Sequence, residues 1–549
     1  MKTFYAKDFG VLPGKDAAEG LAAVFDRMAE EDGEKELIFD RGTYFVNADA
    51  LRTEKLYITN TVGDNEWKSG EEPHLNRAGM RLKGIRDLTV EGRGAVFVLL
   101  GQACNAVLTD CERVTIRDVV FDSDNPDMHE LRVVGKGLFH IDFEADGNSA
   151  VEKRGNKCFF VGKDYAVPVT EGRPAGWIGK ISVGEENSVK RVNHPLTGAL
   201  SVRLVGKRTL RAYYPLAPLY RIGDVFCLFD VRRKYNGIVA DNCFGVTLDG
   251  VTQRFNYGLA LVCQRSGDIV VENCVFAPDG ASGRHMASVA DFVQICMCRG
   301  KVSIRNNVFE GSGDDCLNVH GIHFGIRAAD GNRAELVFGH RQTHGFDPFR
   351  EGDKLRIIDK DTLLPCAEAV VKGSSLADEN TLILTLDRPA DGFVGKAAEN
   401  ASACPDVDFV GNTLDRVITR GVLVTTSGKV RIERNDFRHT SMHAVLISDD
   451  ARSWYESGFV RDVGIRGNRF GACRGYTLIV KPENRRYGGA VHRNVTFEDN
   501  TIDSRGQGGF YFKDCEDVSV TDNRIKGSVK KTKTLRCDPQ FRNNTKVKE

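Results

Sequence analysis

Val302-Ser303-Ile304-Arg305-Asn306-Asn307-Val308-Phe309 is the stretch on which the fold turns. Its pattern is a β-branched residue, any, apolar, two of any kind, Asn, any, then Phe, Ile or Leu. The pattern recurs at Val430 to Phe437, Val463 to Phe470, Val495 to Ile502 and Val518 to Ile525, with looser copies at Val114 to Phe121, Ile269 to Phe276 and Val407 to Leu414. Apolar-polar alternation marks a strand, and the Asn at the sixth position suits a bend where left-handed backbone angles are tolerated. Each copy therefore reads as a strand, a corner and the start of another strand. From 407 the copies begin 23, 33, 32 and 23 residues apart, as in a solenoid whose loops vary in length on one side. The predicted fold is all-β, a right-handed parallel β-helix, with Asn307, Asn412, Asn435, Asn468, Asn500 and Asn523 stacked as a ladder that satisfies backbone groups left unpaired at the turns. A β-sandwich of hairpins would need regular tight-turn dipeptides, which are mostly missing.

Outward from the repeat, Asp16 and Glu19 form a capping-box-like start, and Leu21, Val24, Phe25 and Met28 share one helical face. That helix is expected to close the open end of the coil, because a bare first rung exposes edge groups and apolar core. Residues 1–127 then hold the cap and first coils. Two stretches lack the repeat, 128–237 and 322–403, and their alternating strands with Gly-Asp turns predict inserted β-barrel-like modules. Coils at 238–321 carry the acidic segment described below, coils at 404–527 finish the helix, and the polar, basic 528–549 reads as a frayed tail.

Lys+Arg and Asp+Glu both number 76, so charge gives no reason to expect nucleic acid, an anionic membrane or a polyanionic substrate. No apolar run approaches the roughly 20 residues that span a bilayer, and the N-terminus lacks the apolar core of a signal peptide. The 15 cysteines are an odd number, sit in apolar strand-like runs and show no zinc spacing, which reads as reduced packing residues. A cytoplasmic location is the expectation for the chain as it stands; a secreted or periplasmic one follows if a signal has been removed. Two lateral modules on a long solenoid leave room for a homodimer, though no stretch marks an interface.

The chemistry gathers at Gly313-Asp314-Asp315-Cys316-Leu317-Asn318-Val319-His320-Gly321, preceded 23 residues earlier by Ala290-Asp291. That spacing is about one coil, so Asp291, Asp314 and Asp315 fall on neighbouring rungs of one surface. Carboxylates so close repel, pushing one pKa up while another group stays ionised. Glycosidic cleavage needs such a pair, one acid to protonate the leaving oxygen and one carboxylate as base or nucleophile. Consecutive strand residues face opposite sides, so Asp314 and Asp315 require a bend, which Gly311 and Gly313 permit. An isolated Asp pair usually caps backbone amides; Asp291 on the preceding rung argues for more. Arg299, Asn318, His320 and His323 are candidates to hydrogen-bond a sugar, Trp454 with Tyr455 to stack beneath one, and Glu456 to bind a hydroxyl or donate a proton.

These residues resemble a known family. Asp291 with Gly313-Asp314-Asp315-Cys316 is similar in a general way to polygalacturonase-like β-helix glycosidases. A closer resemblance, to the exo-acting α-1,3-galactosidases of glycoside hydrolase family 110, runs through Ile58-Thr59-Asn60-Thr61, Val90 to Ala95, Ala290-Asp291, Cys298 to Lys301, Asp314 to Gly321, Thr419-Arg420-Gly421 and Trp454 to Gly458. It implies a metal-independent, cofactor-free inverting mechanism with carboxylates at Asp291, Asp314 and Asp315, a role for Arg420 in substrate binding, and a glycan ending in α-1,3-linked galactose, of the blood group B or linear type. Polygalacturonase-like enzymes carry Gly-His-Gly and a nearby Arg-x-Lys; here Val319 precedes His320, and Arg524-Ile525-Lys526 comes far too late. A non-catalytic glycan-binding solenoid remains the reading outside enzymes, although clustered carboxylates serve a mere binder poorly.

Overall fold

The computed structural model describes residues 1–61, 74–171, 178–182, 188–229, 233–503 and 508–547. Equivalent repeat positions lie side by side on parallel strands, Val430 beside Val463, Val463 beside Val495 and Val495 beside Val518. The chain thus winds as a right-handed parallel β-helix, its strands forming a 23-stranded and a 13-stranded sheet. The first and third repeat residues point inward and are buried, as in Val430 and Ile432, Val463 and Ile465, or Val495 and Phe497. The eighth adds an aromatic stack, with Phe437 and Phe470 at 4.7 Å between ring centres and Phe276 and Phe309 at 5.0 Å. Each such side chain contributes roughly 1.5–3 kcal/mol by leaving water.

The ladder runs unbroken. Each Asn side-chain nitrogen donates to the next rung's Asn oxygen, from Asn307 to Asn412 (3.0 Å), Asn435 (3.1 Å), Asn468 (2.9 Å), Asn500 (3.0 Å) and Asn523 (3.2 Å). The same oxygen takes the backbone N–H of the Asn before it, and the second amide hydrogen goes to a strand carbonyl, as Asn468 to Ile432 at 2.8 Å. The left-handed residue is not this Asn but the one before it. Asn306, Gly411, Arg434, Gly467, Asp499 and Asp522 all have φ between 53° and 70°, and that twist turns the following Asn inward. The tail reading is corrected likewise. Lys533–Leu535, Gln540–Arg542 and Thr545–Val547 add a further rung, and Asn544 takes the ladder bond of Asn523 at 2.9 Å. Its strand positions are mostly polar and exposed, which hides its periodicity.

Helix Ala18–Glu30 buries Leu21, Val24, Phe25 and Met28 against the first coils. Asp16 supplies the cap from one position further out than a capping box, accepting the Ala18 N–H at 3.1 Å and the Asn47 N–H at 3.3 Å. Residues 128–229 form a seven-stranded antiparallel sheet with a three-stranded companion rather than a closed barrel. It stays open because its edge strand Ser188–Val192 is used to dock on the coil, through Arg191 N–H to Ser441 Oγ (3.0 Å) and Arg474 Nε to the Val189 carbonyl (3.0 Å). Residues 324–400 do close, into a six-stranded barrel.

Candidate active site

Two corners of the 13-stranded sheet are built alike. In Ser288-Val289-Ala290-Asp291 and Ser312-Gly313-Asp314-Asp315, the serine hydroxyl donates to the carbonyl of the Asp three residues on, at 3.4 and 3.1 Å. The following strands pair in register, Val293 with Leu317 and Leu317 with Val422. Asp291, Asp315 and Arg420 therefore occupy one column on three successive rungs. Gly313 lets the corners stack, since a Cβ there would lie 2.3 Å from the Val289 carbonyl oxygen.

The column is tightly bonded. Asp315 accepts from Thr419 Oγ1 (2.5 Å), Arg420 N–H (3.0 Å) and Arg420 Nε (2.8 Å), while Arg420 Nη2 reaches its second oxygen at 2.7 Å. Asp291 accepts the Asp315 backbone N–H at 3.3 Å, and Asp314 takes Arg233 at 3.0 Å. Asp291 is buried, and that burial, with the charges of Asp314 and Asp315, pushes it well above the usual carboxylate range. Burial pushes Asp315 up too, with Arg420 pulling it back. Asp291 and Asp315 influence each other's ionisation, and the upward push is stronger at Asp291, which faces both other carboxylates, than at Asp315, which Arg420 holds.

A line of donors leads away from Arg233. Arg233 donates to Asn60 (3.2 Å), Asn60 to Gln294 (3.3 Å), Gln294 to His320 Nε2 (3.1 Å), and His320 Nδ1 to the Gly321 carbonyl (2.8 Å). A carbonyl only accepts, so His320 carries its hydrogen on Nδ1. Gln294 and Asn318 pair in register on adjacent strands. Asn318 donates to Glu456 at 3.0 Å and keeps a buried oxygen without a partner among the described residues. Glu456 is carried in by a short strand, Glu456–Ser457, that pairs antiparallel with Gly321 and Ile322. Before it, Asp450 caps the turn, accepting the N–H groups of Arg452, Ser453 and Trp454.

Asp291, Asp314, Asp315, Asn318, His320, Arg420 and Glu456 thus come together. Arg299 and His323 do not, and both expectations are corrected. Arg299 forks onto Asp353 of the barrel at 2.6 Å per bond, and His323 is buried against Asp449 at 2.5 Å; each fastens the barrel region to the coil. Trp454 stands at the rim, 48 % exposed, its ring centre 4.8 Å from that of His340. Arg233, Asn60 and Gln294 went unread as site residues, as did Arg191 of the first module, close enough to Asp314 and Asp315 to feel their charge. A polar Gln in the otherwise apolar Val293–Cys296 strand was the available signal. Among the described residues no group of three or more His, Cys, Asp or Glu is arranged to hold a metal ion.

A parallel β-helix that brings three carboxylates, two arginines and a polar wall together defines a carbohydrate-active hydrolase. Residues 397–545 match the family model for a right handed beta helix region, and 334–396 that for GLAA-B beta-barrel domain II. Alpha-1,3-galactosidase A of Bacteroides thetaiotaomicron is 30% identical over 89% of this chain and 85% of its own. The protein of that name from Streptomyces avermitilis is 31% identical over 92% and 85%. A solved exopolygalacturonase from Thermotoga maritima aligns over 99% of this chain and 92% of its own at 11% identity and a TM-score of 0.41, too distant to carry an argument. The chain belongs to the α-1,3-galactosidase family, glycoside hydrolase family 110, and is a glycoside hydrolase.

Proposed function

We propose that the protein is an exo-acting α-1,3-galactosidase that cleaves terminal galactose with inversion. The observation that carries this reading is the column of Asp291 and Asp315 on successive corners with Asp314 beside them, where burial and like charge push the pKa of Asp291 well up while Arg420 pulls Asp315 back. Hydrolysis with inversion asks for one carboxyl that gives a proton to the leaving oxygen and one carboxylate that activates a water, roughly 6.5–9.5 Å apart. The wall supports a sugar's hydroxyls, because Asn318 and His320 offer donors and acceptors in fixed orientations and Glu456 a further acceptor.

The test is hydrolysis of Galα1-3Gal and of the B trisaccharide, with product anomers followed by proton NMR, for wild type and Asp315→Asn. The expected result is β-galactose as the first product, lost in the variant. An initial α-anomer would exclude inversion, and no release from either substrate would reject the galactosidase reading. Donor and base separate by leaving group: an aryl α-galactoside, whose departure needs no proton, restores turnover to the donor variant among Asp291→Asn, Asp314→Asn and Asp315→Asn and not to the base variant.

A further inference from the structure

The seven-stranded module carries an apolar surface that no part of the described chain covers. Leu138 and Phe139 lie 67 % and 54 % exposed at the tip of the hairpin joining Met128–Lys136 to His140–Ala145, and Leu200, Leu216, Leu219 and Ile222 are 74 %, 67 %, 100 % and 63 % exposed. Backbone bonds make them one patch. Tyr214 N–H donates to the Phe139 carbonyl (2.8 Å), Ala217 N–H to that of Leu138 (3.0 Å), Leu200 N–H to that of Tyr213 (2.7 Å), and Gly223 N–H to that of Val133 (2.8 Å). The patch is not a core turned out, because the module has its own core around Leu131, Ile141, Phe143, Leu210 and Phe226. Strand order sets its place. Ser188–Val192, which docks on the coil, is one edge of the sheet, and Thr209–Tyr213 with Ser201–Leu204 lies at the other. The patch itself sits where Met128–Lys136 ends and Val225–Phe229 begins, opposite the ends at which the chain leaves and rejoins the coil.

Its size identifies the occupant. At roughly 200 Å² per large side chain, six residues so exposed present on the order of 800 Å². That exceeds the few hundred Å² normal for a monomer and equals one partner's part of a standard stable interface. We propose that the patch is the two-fold interface of a homodimer. An isologous contact sets a surface against itself, which an uncharged apolar patch tolerates and a charged one does not. The patch residues carry no charge, and exposed cations beside it include Lys136, Arg203 and Arg221, short of the roughly four to eight that make a polybasic membrane anchor.

The test is sedimentation equilibrium of the full chain across a range of concentrations, for wild type, the double variant Leu138→Glu/Leu216→Glu, and Leu219→Glu. Leu219 is fully exposed, so its variant keeps the test valid should the double variant fail to fold. The expected result is a wild-type dimer and a dissociation constant raised more than about tenfold in the variants, with circular dichroism and galactoside hydrolysis unchanged. Raising the salt should hold or tighten the dimer, since it screens Lys136, Arg203 and Arg221. A monomeric wild type at every concentration overturns the proposal, as does a folded variant that dimerises like wild type. Binding of the monomer to phosphatidylserine vesicles, weakened by salt, would also overturn it and assign the patch to a membrane.

Discussion

Asp315 has two ties to Arg420, the guanidinium fork and the backbone N–H. Only the first is removed in Arg420→Gln. The cation favours ionised Asp315, so its loss should raise the Asp315 pKa and move the acid limb of the kcat/KM profile to higher pH. Arg420→Lys keeps a charge without the fork, and should lose about tenfold or more in kcat/KM with a smaller shift of that limb. A pH–rate series on both variants is the check, and equal shifts would reject the fork as the positioning element. The aspartates were legible because one coil of sequence separates Asp291 from the Asp314-Asp315 pair, and Gly311 and Gly313 permit the bend that the pair needs. Arg233 and Asn60 were not, since they arrive from segments far away in sequence. Arg299 and His323 stand near the motif in sequence, but Arg299 opens the next coil strand and His323 lies where the chain turns into the barrel, and their partners Asp353 and Asp449 draw both away from the aspartates.

At the level of the element, the ladder and the buried histidines make separate predictions. Asn468→Ala leaves the Asn435 backbone N–H and side-chain amide without their acceptor, and should cost about 2–4 kcal/mol in urea unfolding. His194, His443 and His492 each accept a backbone N–H at Nδ1, from Leu196, Tyr476 and Val460. Their rings must be neutral for that, and burial lowers them to about 4, about 4 and about 3 from 6.5. The unfolded chain takes up these protons first, so stability present above pH 6.5 should fall as pH drops toward 4, by up to ~1.4 kcal/mol per pH unit per histidine. Melting temperature against pH reads this out, and His492→Asn, which keeps an acceptor that cannot protonate, should flatten the slope. The repeat displayed the ladder in advance because Asn recurs in register. The left-handed position before it was hidden, because Asn, Gly, Arg and Asp all fill it and share a backbone angle rather than a side chain.

Across the whole molecule, the coil is a one-dimensional stack in which each rung covers the one before. Removing residues 528–549 should uncover the strand Cys515–Thr521 and leave Asn523 without Asn544. The shortened chain is expected to melt several degrees lower and to aggregate through its bared edge, which differential scanning calorimetry and light scattering would register. A truncation that melts like the full chain would make the last rung dispensable. The modules differ in how far sequence spoke for them: their positions were visible as gaps in the repeat, whereas open sheet against closed barrel depended on one edge strand finding a partner on the coil. Such docking is decided by contacts between distant segments, on which the local pattern is silent.

The wall of the groove draws on Asn60 near one end of the chain and on Glu456 far along it, with Arg191 and Arg233 between. A polypeptide emerging from the ribosome builds its rungs in order, so the aspartates are laid down well before Glu456 is translated. The polar wall is therefore complete only once the turn at Asp450 has folded back and Glu456–Ser457 has paired with Gly321 and Ile322, a step that waits on the last third of the chain, well past the aspartates.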